Sequence, residues 1–136
     1  TWVSHLLQRL TLALVSDPVI AAGIARAGDH YAARNAAFAA RLTALGIPAR
    51  AGDGLNLWVA LPVPAREVSP HLMRRGWLAR TGDEFSLGSV PTAHRLRLTV
   101  HDLSDEDAGR LVADIAAAVD ATASAAGGRR PRTEMG

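Results

Sequence analysis

The chain of 136 residues contains no cysteine, no lysine and few aromatic side chains. The missing cysteine excludes disulfides, thiolate metal sites and a cysteine nucleophile. All 15 basic residues are arginines, so no side-chain amine is present that could form a Schiff base. No apolar run approaches the roughly 20 residues of a membrane-spanning helix, and the N-terminal region has no signal-sequence pattern. We therefore expect a soluble protein without a membrane partner, and the absent signal favours the cytoplasm.

The excess positive charge of the chain lies in its C-terminal segment. Residues 1–126 contain 12 arginines and 12 acidic residues, so the net charge of +2 arises in the remainder, where three arginines accompany a single glutamate. Glycine and proline are frequent there, and we predict a flexible, arginine-containing tail over 125–136. No basic stripe interleaves with aromatic residues, so the composition supports neither base stacking nor groove binding by this chain.

The first third of the chain has the pattern of two successive helices. Apolar residues recur with helical spacing over 3–15. Asp17 can cap a following helix and Pro18 suits a first helical turn, so we expect a second helix over 18–45. Two glycines inside this stretch each cost about 1 kcal/mol relative to alanine. They predict a bend or break near 27–29.

From residue 49 onward the pattern changes to short strands and helices. Apolar and polar residues alternate over 95–100, which is typical of a half-buried strand. Ser104 before an acidic turn predicts the start of a final helix. The other predicted elements are a strand pair over 49–61 with a tight turn at 52–54, a helix over 65–75 interrupted at 69–70, a strand over 77–80, a turn at 81–83 and a short strand over 84–87. Helices covering a small, mostly antiparallel sheet give an α+β architecture.

Five segments of the chain resemble a known family. They are WVSHLLQ at 2–8, YAAR at 31–34, GDGLNLW at 52–58, RGWL at 75–78 and LRLT at 96–99. In this order they resemble the C-terminal part of MocR-type transcriptional regulators, in which a winged helix-turn-helix of the GntR class is fused to a fold-type-I aminotransferase-like domain. The resemblance runs from residue 1 to about 119, and fold-type-I aminotransferases share most of the segments.

The resemblance implies the small C-terminal domain of a fold-type-I transferase, preceded by a helix of the large domain. It divides the chain into the last large-domain helix at 1–16, the small domain with its long N-terminal helix at 17–124, and the tail at 125–136. The lysine that binds pyridoxal 5′-phosphate in the family lies upstream of this chain. We therefore expect the chain to hold no cofactor and to catalyse nothing alone, with pyridoxal 5′-phosphate bound in a full-length parent.

The same resemblance implies three substrate-binding residues. The family places a strand arginine that grips the substrate α-carboxylate at Arg97, and a planar guanidinium suits a carboxylate bidentately. The plain alternative is an exposed arginine paired with a surface acid, and Arg95 shares the same strand face. Asn56 and Trp58 lie in a region that approaches the substrate in the family, although a packing role suits Trp58 equally well.

The remaining polar residues form no recognisable catalytic or metal-binding set. The five histidines have no partners at metal-ligand spacing, and Asp53 between two glycines suits a turn rather than acid catalysis. We therefore predict neither a catalytic residue nor a metal site in this chain.

Three functions stay open. The first is the C-terminal lobe of a regulator's sensing domain, which recognises an amino acid or amine and contacts DNA only through an absent N-terminal domain. The second is the C-terminal fragment of a pyridoxal-phosphate-dependent aminotransferase, and the third is a stand-alone α+β interaction module. The amphipathic first helix lacks a partner in so small a domain, which predicts packing on the missing large domain and a homo-oligomer.

Overall fold

The computed structural model describes residues 3–52, 54–86 and 92–127. Its elements follow the chain in the order α1 (His5–Ser16), α2 (Pro18–Ala44), β1 (Leu57–Ala60), α3 (Ala65–Met73), β2 (Arg80–Thr81), a 3₁₀ helix (Gly82–Phe85), β3 (Arg95–Leu98) and α4 (Asp105–Gly127). Helices and a small antiparallel sheet confirm the predicted α+β class. The predictions for Asp53 and for residues 128–136 lie outside the described residues.

β3 is the central strand of the sheet, with β1 and β2 antiparallel on its two sides. The register pairs Leu57 with Leu98 and Val59 with Leu96, and all four side chains are buried. Successive side chains of a strand point to opposite faces. These leucines and the valine therefore form one apolar face, and the residues between them occupy the other, as the alternation predicts.

The helices α2, α3 and α4 cover the apolar face of the sheet. Their buried side chains recur at helical spacing and include Phe38 and Leu42 from α2, Val68 and Leu72 from α3, and Leu111 and Ile115 from α4. Burying one aliphatic side chain of this size stabilises a fold by about 1.5–3 kcal/mol. This core, rather than local strand propensity, holds the short strands in place.

α1 and α2 meet at an angle of 79°. The Asp17 carboxylate accepts hydrogen bonds from the backbone N–H groups of Val19 and Ile20 at 2.8 and 3.2 Å, which confirms the predicted cap. The apolar side chains of α1 are exposed, and Leu6 is 74% exposed. Within the described residues, no single helix is long and apolar enough to cross a membrane, and α1 with α2 meets that test only as a bent pair.

The two ends of α4 differ in how well the sequence predicts them. Ser104 Oγ accepts a hydrogen bond from the Asp107 backbone N–H at 3.0 Å, so the predicted cap is confirmed. At the other end the helix continues to Gly127. Residues 125–127, which we assigned to the flexible tail, are therefore helical. The alanine-rich sequence favours this continuation because alanine has the highest helix propensity.

The predicted strand pair over 49–61 is confirmed in its second strand, which is β1, and wrong in its first. In the part of the chain that the structure describes, Ala49 makes only an isolated bridge to β1. The buried side-chain amide of Asn35 on α2 donates to the carbonyl oxygens of Gly52 and Gly54 at 3.3 and 2.8 Å. The carbonyl groups of Gly52 and Gly54, at the two ends of the expected turn, are therefore bound to α2.

The predicted turn at 81–83 and strand over 84–87 are also wrong, because a 3₁₀ helix covers 82–85; Leu87 lies outside the described residues. Thr81 and Glu84 form a capping box, in which Glu84 Oε1 accepts from the Thr81 backbone N–H at 2.9 Å. This reciprocal pair satisfies backbone groups at the start of a helix and favours winding over extension. The preceding strand β2 begins at residue 80 rather than 77.

Neither predicted break in a helix is found in the described residues. α2 is continuous through 27–29, and α3 is continuous through Pro70. Val68 and Leu72, on either side of Pro70, are fully buried in the core. Their packing outweighs the backbone hydrogen bond that proline removes.

Candidate functional site

The sheet face that none of the described α-helices covers, called the open face below, holds the three predicted site residues and Arg95. Trp58 on β1 lies directly opposite Arg97 on β3. Asn56 precedes β1, and its Oδ1 accepts a hydrogen bond from Thr99 Oγ1 at 2.9 Å. Strand alternation therefore brings Asn56, Trp58 and Arg97 to one face, opposite the core.

Phe85, the last residue of the 3₁₀ helix, packs on this face. Cζ of Arg97 lies over its ring, 4.7 Å from the centroid. Trp58 meets the same ring edge to face, with 5.6 Å between centroids and 89° between planes. Among the described residues Arg97 has no hydrogen bond or ion pair through its side chain, so Phe85 supports the guanidinium without using its N–H donors. Phe85 is not among the predicted site residues because the sequence pattern places it in a strand.

A second arginine lies over the same ring, but its charge is compensated. Cζ of Arg80 is 5.3 Å from the Phe85 centroid, and Arg80 is the cross-strand partner of Arg97. Like charges directly opposite each other repel. Arg80 donates from Nε to Glu84 at 2.8 Å and its Nη2 lies 2.6 Å from the same carboxylate. These contacts, followed by the hydrogen bond from the Thr81 backbone, lower the pKa of the Glu84 carboxyl. Arg97 thus keeps the uncompensated charge of this pair.

Two open grooves flank Trp58 on this face, with volumes of about 480 and 290 Å³. Their described lining residues are Thr43, Pro48, Ala49, Arg50, Trp58, Ala60 and Arg95 for the larger groove, and Trp58, Gly82, Phe85, Thr92 and Arg95 for the smaller. Arg95 belongs to both sets, and Arg97 to neither. Arg95, the neighbour of Arg97 on the same strand face, is therefore the strand arginine that lines the grooves.

Arg34 and Asn35 on α2 bind two neighbouring segments, the start of α4 and the loop before β1. Arg34 Nη1 contacts the Asp105 carboxylate at 2.9 Å, and its Nη2 donates to the Leu103 carbonyl oxygen. Asn35 is fully buried and binds the two glycine carbonyls before β1. The arginine of the YAAR segment therefore has a structural role, joining α2 to the start of α4.

The described residues do not fit pyridoxal 5′-phosphate. The sequence has no lysine for its aldehyde. The N-terminus of α2 is capped by Asp17, and the first turn of α4 is acidic, so neither helix start offers a free anion site. Within the described ranges no group of three His, Asp or Glu side chains could hold a metal ion. The chain therefore has no counterpart of the lysine that binds this cofactor in the family.

The chain is similar to a curated protein sequence and to a solved structure. The chain is 39% identical over 114 residues, 84% of its length, to the vitamin B6 salvage pathway transcriptional repressor PtsJ of Salmonella typhimurium. It spans about a quarter of that curated relative, covering 26% of its length. An aminotransferase-like protein of Burkholderia pseudomallei shares the fold with a TM-score of 0.51 and 24% identity, over 65% of this chain and 25% of that one. No family model matches the chain.

Proposed function

We propose that this chain, the C-terminal aminotransferase-like part of a MocR-type transcriptional regulator, is one lobe of an effector-sensing domain. In this proposal α1 belongs to a large domain and residues 17–124 form the small domain. The exposed apolar side chains of α1 support that division. The rest of the longer protein holds pyridoxal 5′-phosphate through a lysine, recognises an amino acid or amine together with this lobe, and binds DNA through a winged helix in the cytoplasm.

Within this lobe, Arg97 is the proposed partner of an effector carboxylate. It is half-buried, it lies over Phe85, and its cross-strand neighbour Arg80 is already neutralised by Glu84. A guanidinium that is supported by a ring while its donors stay free is pre-organised to accept a carboxylate in a forked geometry. The proposal depends on this observation, that the Arg97 guanidinium has no ion pair among the described residues. Trp58, directly opposite, borders the same place.

A regulator is favoured over an enzyme for the longer protein because the sequence similarity is to a repressor over 84% of this chain. The structural likeness, at 24% identity, concerns the fold alone. DNA binding by the longer protein in a mobility-shift assay, beside an assay for amino-group transfer, distinguishes the two functions. Specific DNA binding supports the regulator, and efficient transfer without DNA binding supports the aminotransferase.

The substitution Arg97→Ala in the longer protein tests the carboxylate site. We expect it to weaken binding of a carboxylate-bearing effector by about 1.5–3 kcal/mol, the scale of a hydrogen bond to a charged group. The free energy of unfolding should fall by no more than about 0.5–1 kcal/mol, because Arg97 lies outside the buried core and loses only its contact with the Phe85 ring. Arg97→Lys should recover only part of the loss, since an ammonium cannot present the fork.

Calorimetric titration with a panel of L-amino acids and amines provides the measurement. Arg66→Ala is the matched control. This exposed arginine lies on α3, which packs against α4 on the opposite side of the sheet from Arg97. Equal affinities of the unmodified and Arg97→Ala proteins for every carboxylate in the panel would contradict the assignment.

A further inference from the structure

The larger groove beside Trp58 is a second place on the open sheet face with unpaired positive charge. Ala49 and Val59 form an antiparallel bridge. Arg50, which follows Ala49, therefore lies beside Trp58, which precedes Val59. Arg95 lines the same groove from β3. The described lining residues therefore include two arginines and no acidic residue. Neither arginine has an ion pair within the described ranges.

The chain has acidic partners available and uses them elsewhere. Ion pairs join other arginines to acidic residues: Arg34 and Arg41 to Asp105, Arg75 to Asp114, and Arg110 to Asp107. Over residues 1–126 arginines and acidic residues are equal in number, so the excess on this face is local. A concave site with charge of one sign concentrates ions of the opposite sign. The groove is therefore suited to an anion.

The unpaired arginines lie within reach of one small molecule. Arg50 and Arg97 flank Trp58 in one row across the sheet, so their Cα atoms are roughly 10 Å apart, about two strand spacings. Arg95 is two positions from Arg97 along β3, roughly 6.5 Å. The indole between them is 38% exposed and provides an apolar floor. A molecule held at Arg97 can thus extend over Trp58 into the groove.

We propose that the open sheet face binds a dianion, with one carboxylate at Arg97 and a second anionic group in the groove between Arg50 and Arg95. The short apolar middle of the molecule lies on Trp58. The position of the first carboxylate rests on the function proposed above, whereas the second anion rests on the groove itself. Guanidinium groups bind carboxylate and phosphate in similar forked geometries. The second anionic group is therefore a carboxylate or a phosphate, both of which fit a guanidinium fork.

A matched series of small anions tests this proposal on the 136-residue chain. Butyrate has one carboxylate, glutarate has a second at the far end, and 4-phosphonobutyrate has a phosphonate there instead. The NMR signal of the Trp58 indole N–H is followed at constant ionic strength. We expect the better dianion to bind roughly 5–10-fold more tightly than butyrate, because its second ion pair forms within one bound molecule. Tighter binding of glutarate indicates a carboxylate in the groove, and tighter binding of 4-phosphonobutyrate a phosphate.

Substitutions separate the groove from the carboxylate site. Arg50→Gln and Arg95→Gln should each reduce the preference for the dianion and leave butyrate binding unchanged, while Arg66→Gln changes neither. Equal binding of butyrate and both dianions, a preference that survives both groove substitutions, or no response of Trp58 to any probe overturns the proposal. If Arg97→Gln leaves butyrate binding intact while the groove variants still act on the dianion, the carboxylate role of Arg97 fails and the groove stands.

Discussion

Replacing Phe85 by leucine tests whether its ring holds the arginines of the open face in place. The ring lies 4.7 Å from Cζ of Arg97 and 5.3 Å from Cζ of Arg80, and its centroid is 5.6 Å from that of Trp58. A cation–π contact at an exposed site is worth about 0.5–1 kcal/mol, and an aromatic pair about 0.5–1.5 kcal/mol. Arg80 keeps its ion pair with Glu84, so its contact is only partly lost. We therefore expect Phe85→Leu to lower the free energy of unfolding by about 1–2 kcal/mol.

Urea unfolding followed by circular dichroism measures this loss, with Phe85→Tyr as the matched control. Leucine keeps most of the apolar volume and tyrosine keeps the ring, so the difference between the variants isolates the aromatic contacts. The free energy of unfolding of Phe85→Tyr should remain close to that of the unmodified protein, because Phe85 is 39% exposed and a hydroxyl can reach water. The NMR relaxation of the Arg97 side chain should show greater mobility only in the leucine variant. Equal stability of both variants with unchanged Arg97 mobility would refute this role of the ring.

Three further changes test other parts of the structure. Asn35→Ala leaves two loop carbonyls without their donor, and urea unfolding should show a loss of about 1–3 kcal/mol; an unchanged midpoint would contradict the role of this amide. The hydrogen bonds from Arg80 lower the pKa of Glu84, so their stabilising effect is complete above the ordinary glutamate pKa and is lost as the pH falls through the lowered value. In an NMR titration Arg80→Ala should raise this pKa toward its ordinary value, and no rise would refute the stated cause. The exposed leucines of α1 predict self-association of the isolated chain, which Leu6→Glu with Leu10→Glu should abolish in light scattering; a monomeric unmodified chain would contradict it.

The long helices and the strand faces could be predicted because their signals are local. Asp17 and Ser104 cap the helices that follow them, and each contacts a backbone N–H within three positions along the chain. The alternation in β3 likewise needs no information from distant residues. Local patterns of this kind also place Arg97 and Trp58 on one strand face each, although the register is needed to set them opposite each other.

The segments around the site were harder to predict because distant residues determine them. Asn35 contacts carbonyl groups 17 and 19 positions along the chain, and only β1 of the expected strand pair forms a strand. Gly82 is buried so closely against Thr92 that a β-carbon would lie 2.5 Å from the Thr92 carbonyl oxygen. This packing positions the 3₁₀ helix and thereby brings Phe85 over Arg97. Only the capping-box spacing of Thr81 and Glu84 was visible in the sequence.

The charges on the open sheet face explain why the described helices cover the opposite face instead. A helix packed over Trp58 and Arg97 would take an uncompensated guanidinium out of water, at an effective cost of several kcal/mol. Burying one aromatic surface offsets only part of that cost. The same strands bury Leu57 and Val59 on the other side without such a penalty. The open face is therefore stable in contact with water, or with an anion that pairs with Arg97. The charge of Arg97 that disfavours a covering helix also suits this residue to bind a carboxylate.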